Sequence, residues 1–209
     1  MILGADQFYA FLVAAMLVTL SPGPDNLMVL SVGISSGRAQ GVVFGLGCAL
    51  GCLSHTLLAA LGISALIAAS PTAFGVLKLC GGAYLVWLGI QALRSCGQVR
   101  VAAQNGRAEP LSRRFGKGLI ANAINPKVIV FFLSFLPQFV SAERGSIALQ
   151  TGALGVIFTL QSCLIFGLLG YFSGSIGQWL NRHGRAGIWL DRVAGAVFVG
   201  LGLRLITSR

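Results

Sequence analysis

Charged residues are scarce in this chain of 209 residues, which has 15 lysines and arginines and only five aspartates and glutamates. They make up 10% of the sequence, whereas a soluble domain carries about 25%. Hydrophobic residues account for 56%, so too few polar side chains remain to cover a surface that faces water. The shortage of charge therefore excludes an ordinary soluble domain and predicts a membrane protein.

Motifs for covalent chemistry and nucleotide binding are missing as well. Without a P-loop, transport driven by ATP would need a separate subunit. There is no G-x-S-x-G motif, and the two histidines lie in different environments, so we expect neither an enzyme nor a cofactor. The N-terminus lacks a basic n-region and an A-x-A cleavage site, which predicts a retained helix from Phe8 rather than a signal peptide.

The cysteines show no spacing typical of a disulfide framework, and four of the five fall inside apolar runs. Cys48, Cys52 and His55 would share one face of a helix, a pattern that could suit a soft metal. On a glycine-rich apolar helix, packing explains such a cluster more simply, and we predict no metal site. The five are Cys48, Cys52, Cys80, Cys96 and Cys163.

Long runs without charge predict an all-α protein with six transmembrane helices, because about 20 apolar residues cross some 30 Å of hydrocarbon. Two of the six, at 8–34 and 118–140, are interrupted by prolines, and the others are expected at roughly 41–68, 72–93, 147–173 and 188–206. The last run carries three charges near its ends, and if it did not span, five helices would remain.

The distribution of lysine and arginine predicts the orientation, since these residues concentrate in cytoplasmic loops. With the N-terminus outside, the inner segments carry ten of them and the outer segments three. Both termini are therefore predicted to be periplasmic, in a bacterial inner membrane. The net charge of +10 does not indicate nucleic-acid binding, because the bases lie between apolar runs. The ten are Arg38, Arg94, Arg100, Arg107, Arg113, Arg114, Lys117, Arg182, Arg185 and Arg192.

The basic stretch 94–117 divides the predicted single transporter domain (1–209) into two halves, 1–93 and 118–209. Each half has three predicted helices and opens with a broken one. Because three is odd, the halves would enter the membrane in opposite senses, as inverted repeats do in many secondary transporters. The stretch itself is expected to be a cytoplasmic loop.

Glycine is frequent, with 29 residues, and several pairs have the G-x-x-x-G spacing that brings helix backbones close together. Such contacts can form within a subunit or between subunits, so a homo-oligomer through these faces is a further expectation. The pairs are Gly33/Gly37, Gly41/Gly45, Gly47/Gly51 and Gly170/Gly174.

The break in the first apolar run combines two prolines with polar residues. Pro22 has no N–H, so the Val18 carbonyl loses its helical partner, which hydrocarbon tolerates only beside a cavity or inside protein. Pro24 suits the first position of a new half-helix, whose free N–H groups favour a carboxylate. The whole break reads Ser21-Pro22-Gly23-Pro24-Asp25-Asn26.

The break in the fourth apolar run has the same design. Pro126 frees the Asn122 carbonyl, and the Asn125 amide and the Lys127 ammonium lie beside it. If the two breaks face each other, they offer one charge of each sign, the complement of an amino acid's ammonium and carboxylate. The predicted substrate and coupling residues are Pro22, Gly23, Pro24, Asp25, Asn26, Asn122, Asn125, Pro126 and Lys127.

Asp25 is the only acidic residue deep within a predicted span. Charges inside the membrane are costly and usually face a cavity, and a carboxyl group there suits a proton carrier. The alternatives are that Asp25 only caps its half-helix or pairs with Lys127, and that Lys127 only snorkels or forms that ion pair. Snorkelling is the simpler interpretation of Lys78.

Three sets of motifs together point to one family. They are the Ser21–Asn26 break followed by Gly37-Arg38, then Asn125-Pro126-Lys127 running into Phe131-Phe132 and 135–139, and finally 191–195 with 200–204. Over nearly the whole chain they resemble the lysine exporter (LysE/RhtB-type) family. The resemblance implies export of amino acids or their derivatives from the cytoplasm, driven by the proton-motive force.

The resemblance leaves the substrate open, and two other activities occur in the wider superfamily. One is metal-ion efflux, for which Cys48, Cys52, His55 and Asp25 would be the candidates, and the other is thiol redox chemistry. The redox branch uses paired cysteines in its first and fourth helices, which this chain lacks. A single deep carboxylate leaves a lysine side chain without a partner, which favours neutral substrates such as homoserine, threonine or leucine.

Overall fold

A computed structural model describes residues 3–95 and 109–207. Cys96, Arg100, Arg107 and Arg209 lie outside the described residues, as does most of the predicted loop 94–117. Within the described ranges every regular element is helical, which confirms the predicted all-α class.

Apart from the stretch 95–110 between α4 and α5, the helices follow one another with short connections. The first half contains α1 (Ala5–Leu20), α2 (Pro24–Ser36), α3 (Arg38–Ala69) and α4 (Pro71–Arg94). The second contains α5 (Leu111–Ala123), α6 (Pro126–Val130), a π-helix (Phe131–Phe135), a 3₁₀ turn (Leu136–Phe139), a second 3₁₀ turn (Ala142–Arg144), α7 (Ile147–Tyr171), α8 (Ser173–Arg182) and α9 (Gly184–Thr207).

Six spans result when each bent pair is counted once. Four helices are long and apolar enough to cross a membrane unbroken, namely α3, α4, α7 and α9. The α1–α2 pair bends by 54° at the Pro22–Pro24 break, and α5 bends by 51° against the segment Pro126–Phe139. Length and composition therefore confirm the six predicted spans and the interruption of the first and fourth.

Two boundaries differ from the prediction because amphipathic turns extend beyond the apolar runs. α5 begins at Leu111 rather than near 118, so part of the predicted loop is helical and carries Arg113, Arg114 and Lys117 on its first turns. After α7, the chain turns at Phe172 into a separate amphipathic helix, α8. A search for uniformly apolar runs finds neither feature.

Glycines let the long helices approach closely. A Cβ on Gly41 would lie 3.1 Å from the Gly170 carbonyl oxygen, which brings α3 against α7. In the same way, α4 meets α9 at Gly89 and Gly195, where a Cβ on either would lie 2.7 Å from the other's carbonyl oxygen. The helices of each pair run antiparallel. Gly82, earlier in α4 than Gly89, meets Gly202, later in α9 than Gly195, and earlier residues of α3 likewise meet later residues of α7.

The predicted glycine pairs therefore serve mainly contacts within the subunit. Gly33, Gly41, Gly45, Gly47, Gly51 and Gly170 all pack against neighbouring helices of the same chain. Gly37 has a φ of 97° and forms the turn between α2 and α3 instead. A homo-oligomer built through these faces gains no support from this packing.

Polar contacts join the starts of α3 and α5 at one end of the bundle. The Gln40 amide donates to the Glu109 backbone oxygen at 2.7 Å and accepts from Arg114 Nε at 2.8 Å. The Glu109 carboxylate pairs with Arg114 and Lys117, each at 2.9 Å. The hydrogen bond from Lys117, helped by the nearby arginines, holds the pKa of Glu109 below its usual value.

Candidate functional site

The break between α1 and α2 satisfies its own backbone. Ser21 Oγ donates to the Val18 carbonyl oxygen at 3.0 Å, which is the acceptor that Pro22 leaves without a helical partner. The Asn26 amide donates to the Thr19 carbonyl oxygen at 2.8 Å. Side chains of the break thus pair the carbonyls that hydrocarbon would leave unsatisfied.

The break between α5 and α6 takes a partner from another helix. Asn125 caps α6, its Oδ1 accepting from the Lys127 N–H at 3.0 Å. The Asn122 carbonyl, freed by Pro126, accepts from the Asn125 N–H at 2.9 Å and contacts His55 Nε2 at 3.1 Å. Because a carbonyl oxygen can only accept, Nε2 is the protonated nitrogen of His55.

Asp25 connects the first break to the second. Its side chain is 3% exposed in the first turn of α2, where the helix dipole favours an anion. One carboxylate oxygen, Oδ2, accepts from the Asn122 amide at 2.7 Å. The other oxygen, Oδ1, is buried and has no hydrogen-bond partner among the described residues.

Lys127 makes the reverse connection, from the second break to the first. Its ammonium donates to the Ser21 carbonyl oxygen at 2.8 Å and to Ser21 Oγ at 2.9 Å, and it lies 5.1 Å from the centre of the Phe198 ring. A Cβ on Gly23 would come within 3.0 Å of this ammonium, so the glycine permits the close approach. The second break therefore bonds Asp25 of the first, and the first break bonds Lys127 of the second.

Five of the predicted residues line one small cavity of about 20 Å³. A space of this size accommodates a single water molecule but not an amino acid. The helices are therefore packed in a closed arrangement, and a larger solute would enter only if the walls separated. The cavity is lined by Asp25, Asn26, Asn122, Asn125 and Lys127, together with Val18, Thr19, Cys52, Val128, Phe158, Ser162 and Phe166.

The remaining predicted residues do not line this cavity. Gly23 contacts the Lys127 side chain from outside it, and Pro24 and Pro126 each occupy the first turn of a half-helix. Pro22 lines a separate apolar pocket that also touches Asn26. These four residues shape the backbone that positions the polar side chains.

Several polar residues at the site were not among the predicted set. Ser21 bonds both the Val18 carbonyl and Lys127, and a serine directly before a proline in an apolar run could have indicated this role. Gln161 donates to Thr19 Oγ1 at 2.8 Å from the middle of α7, where an amide deep in an uncharged run was also a usable signal. His55 had been considered only as a metal ligand.

The residues considered for a metal do not converge. Cys52 Sγ lies 3.5 Å from Asn122 Oδ1, and the protonated nitrogen of His55 is directed at the Asn122 carbonyl. Across residues 3–95 and 109–207, no group of three or more His, Cys, Asp or Glu side chains is arranged to hold a metal ion.

Comparison with known proteins gives a match over most of the chain. A family model described as LysE type translocator matches residues 16–209. The chain is 30% identical to a leucine efflux protein of Enterobacter sp. (strain 638), with 97% of this chain and 96% of that protein covered. It is 30% identical to a threonine efflux protein of Salmonella typhi (97% and 98% covered) and 28% identical to a homoserine/homoserine lactone efflux protein of Salmonella typhimurium (98% of both). No solved structure gives a significant match.

Proposed function

The chain belongs to the LysE type translocator family, and we propose that it exports neutral amino acids from the cytoplasm in exchange for protons. Relatives named as leucine, threonine and homoserine efflux proteins cover nearly its full length, which supports an amino-acid substrate. Because the named substrates of these relatives carry no charged side chain, they also support the neutral class.

The observation that carries this proposal is the meeting of two helix breaks, each contributing one buried charge to one cavity. Asp25 offers an acceptor to an α-ammonium, and its unpaired oxygen Oδ1 is already available for that contact. Lys127 and the first N–H groups of α2 offer donors to a carboxylate. An amino acid would take over contacts that Asn122 and Ser21 now make with the two charges.

Asp25 is also the proposed proton carrier. When the site opens outward, the carboxylate takes up a proton as the amino acid leaves. When the site opens inward, the arriving substrate ammonium favours the charged carboxylate, and the proton is released to the cytoplasm. One group thus binds the ammonium and the proton alternately, which makes their movements opposite in direction.

The test replaces Asp25 with asparagine, which keeps the size of the side chain and its capping ability but removes the titrating group. In proteoliposomes, Asp25→Asn should lose uptake or release of leucine, threonine and homoserine driven by a pH gradient. Counterflow exchange, which needs no net proton movement, should persist. Asp191→Asn is the matched control, since Asp191 is also buried but does not line the cavity.

The outcome that contradicts the coupling role is full gradient-driven transport by Asp25→Asn at normal protein level. Asp25 would then serve only to join the two breaks through the Asn122 amide, and the proton would travel by another route. Failure of the wild-type protein to move any of the three amino acids would instead contradict the proposed substrate class.

We further propose that the protein lies in the bacterial inner membrane with both termini in the periplasm. The halves 1–93 and 118–209 would be inverted repeats of one transporter domain, joined by a cytoplasmic connection at 94–117. The antiparallel packing of α3 with α7 and of α4 with α9 supports the repeat, since a two-fold axis in the membrane plane pairs each helix with its counterpart in this way. A homo-oligomer stays a prediction.

A further inference from the structure

A second, much larger cavity opens at the end of the molecule opposite the Glu109 contacts. Its volume is about 590 Å³, which falls in the range of small-molecule binding sites. It lies between the start of α1, the first half of α4, the end of α9 and the 3₁₀ turn Leu136–Phe139. We call it the vestibule, and its polar lining consists of Asp6, Gln7, Lys78, Gln138 and Arg204.

Two cations from facing helices dominate the charge of the vestibule. Lys78 lies seven residues inside α4 from Pro71, about 10 Å along the helix axis, and Arg204 lies one turn from the end of α9. Cations at such depths are costly and usually face a cavity, and both residues line this one. Asp6 is the one carboxylate among the described residues of the lining, and it lies 3.6 Å from the Arg144 guanidinium. The vestibule therefore favours a ligand with a carboxylate.

Gln138 gives an independent indication of a ligand. It lines the vestibule, and its Nε2 donor is buried without a hydrogen-bond partner in the part of the chain that the structure describes. Buried donors are nearly always paired, and a turn of the Gln138 amide toward the vestibule would let a ligand oxygen supply the partner. Gln7, by contrast, is fully used, since it donates to the Phe139 carbonyl oxygen at 3.0 Å and accepts from the Gly4 N–H at 2.8 Å.

Packed aromatic rings separate the vestibule from the central cavity. Phe158 lines the central cavity and Phe139 lines the vestibule, with Phe131 and Phe135 between them. The ring centres along this path are 5.2, 5.3 and 5.3 Å apart, and the four side chains are at most 6% exposed. We call these four rings the phenylalanine plug. They connect the lining of the central cavity to the lining of the vestibule.

We propose that the vestibule is a second binding site for the transported amino acid, in which Lys78 and Arg204 bind its carboxylate and Gln138 donates to the same group. This proposal rests on the proposed function and adds a separate site on the far side of the phenylalanine plug. A substrate leaving the central cavity would pass the plug and meet the two cations before release. Charge-assisted hydrogen bonds to its carboxylate are the contacts expected there.

The experiment counts binding sites on purified full-length protein. Equilibrium dialysis with radiolabelled leucine, threonine and homoserine should give two bound molecules per chain for the exported amino acid. Asp25→Asn should weaken the central site and leave the vestibule site unchanged. The double variant Lys78→Gln/Arg204→Gln should lower affinity at the vestibule site by at least about tenfold and leave the central site unchanged.

Two further variants provide a second test of the vestibule site and a control. Gln138→Leu keeps both cations and should also weaken the vestibule site, which keeps the proposal testable if the double variant fails to fold. Arg192→Gln removes an exposed arginine at the other end of α9 and should bind two molecules like the wild type.

A wild-type protein that exports amino acids but binds one molecule per chain would overturn the vestibule site and leave the proposed function intact. If the double variant and Gln138→Leu both bound two molecules with wild-type affinity, the vestibule site would be overturned too. Lys78 and Arg204 would then be snorkelling residues. A wild type that exports none of the three amino acids would overturn the proposed function and the vestibule site together.

Discussion

At the scale of single residues, the two breaks differ in how far their hydrogen-bond partners lie along the sequence. The carbonyls of Val18 and Asn122 are freed by Pro22 and Pro126, and the sequence predicts this directly because proline has no N–H. The partner of the Val18 carbonyl is Ser21, three residues away, which the local sequence contains. The Asn122 carbonyl accepts locally from the Asn125 N–H, but it also contacts His55, 67 residues away. This second contact depends on how α3 packs against α5 and could not be predicted from the sequence.

Ser21 should be more important for stability than its size suggests, because its hydroxyl bonds both the Val18 carbonyl and the Lys127 ammonium. Replacing Ser21 with alanine removes one partner from each and should lower the free energy of unfolding by about 1–3 kcal/mol. Thermal unfolding of the purified protein in detergent measures this change. Ser35→Ala is the matched control, since Ser35 Oγ makes only long contacts within α2, at 3.5 Å to the Val32 carbonyl oxygen and 3.4 Å to Ser36 Oγ. Equal unfolding temperatures for the two variants would contradict the double role of Ser21.

At the scale of helices, the sequence predicts where spans occur better than what kind of helix each contains. The four continuous spans and the two broken ones follow from apolar length and proline. The π-helix at Phe131–Phe135 and the 3₁₀ turn at Leu136–Phe139 do not follow from the sequence, because the side chains there are as apolar as in any span. Pro137 is the one local sign, since it withholds a backbone donor from the last turn.

The contact between α4 and α9 allows a specific prediction, because the backbones of the two helices touch each other directly. A Cβ on Gly89 would lie 2.7 Å from the Gly195 carbonyl oxygen, which cannot move aside as a flexible side chain can. Gly89→Ala should therefore destabilise the protein by about 1–3 kcal/mol. Gly75→Ala, on the same helix with no atom within 4 Å, should change stability by less than about 1 kcal/mol. Both are measured by denaturant titration in mixed micelles. A Gly89→Ala variant as stable as Gly75→Ala would mean that α4 and α9 are not this close.

At the scale of the whole molecule, family membership and the number of spans could be predicted, but the cavities could not. The motifs around Pro22 and Pro126 pointed to the family that the comparison identifies, and they named five residues that now line one cavity. The small volume of that cavity and the size of the vestibule depend on side chains from both halves of the chain. These volumes cannot be predicted from the sequence of either half, because they depend on how α1 packs against the 3₁₀ turn and how α4 packs against α9.

The orientation of the molecule sets the direction of transport through the two cavities, so it is the prediction on which the others depend. The basic ends of α4, α5 and α8 lie at the same end as the Glu109 contacts, and the vestibule lies at the other. The exposed rings of Trp87, Trp179 and Trp189 lie on α4, α8 and α9 toward that basic end, as expected for side chains at a membrane interface. Because lysine and arginine concentrate on the cytoplasmic side, the vestibule should face the periplasm.

A reporter enzyme that is active only in the periplasm tests this orientation. Fused after Arg209 it should be active, and inserted within 94–117 it should be inactive, with the opposite pattern for a reporter that works only in the cytoplasm. Activity of the periplasmic reporter within 94–117 would mean that the protein has the opposite orientation. The vestibule would then face the cytoplasm, and substrate would reach it before passing the phenylalanine plug rather than after. Inactivity after Arg209 alone would mean that α9 does not cross the membrane. The Arg204 side chain, one turn from the end of α9, would then lie on the cytoplasmic side and could not bind a carboxylate on its way out.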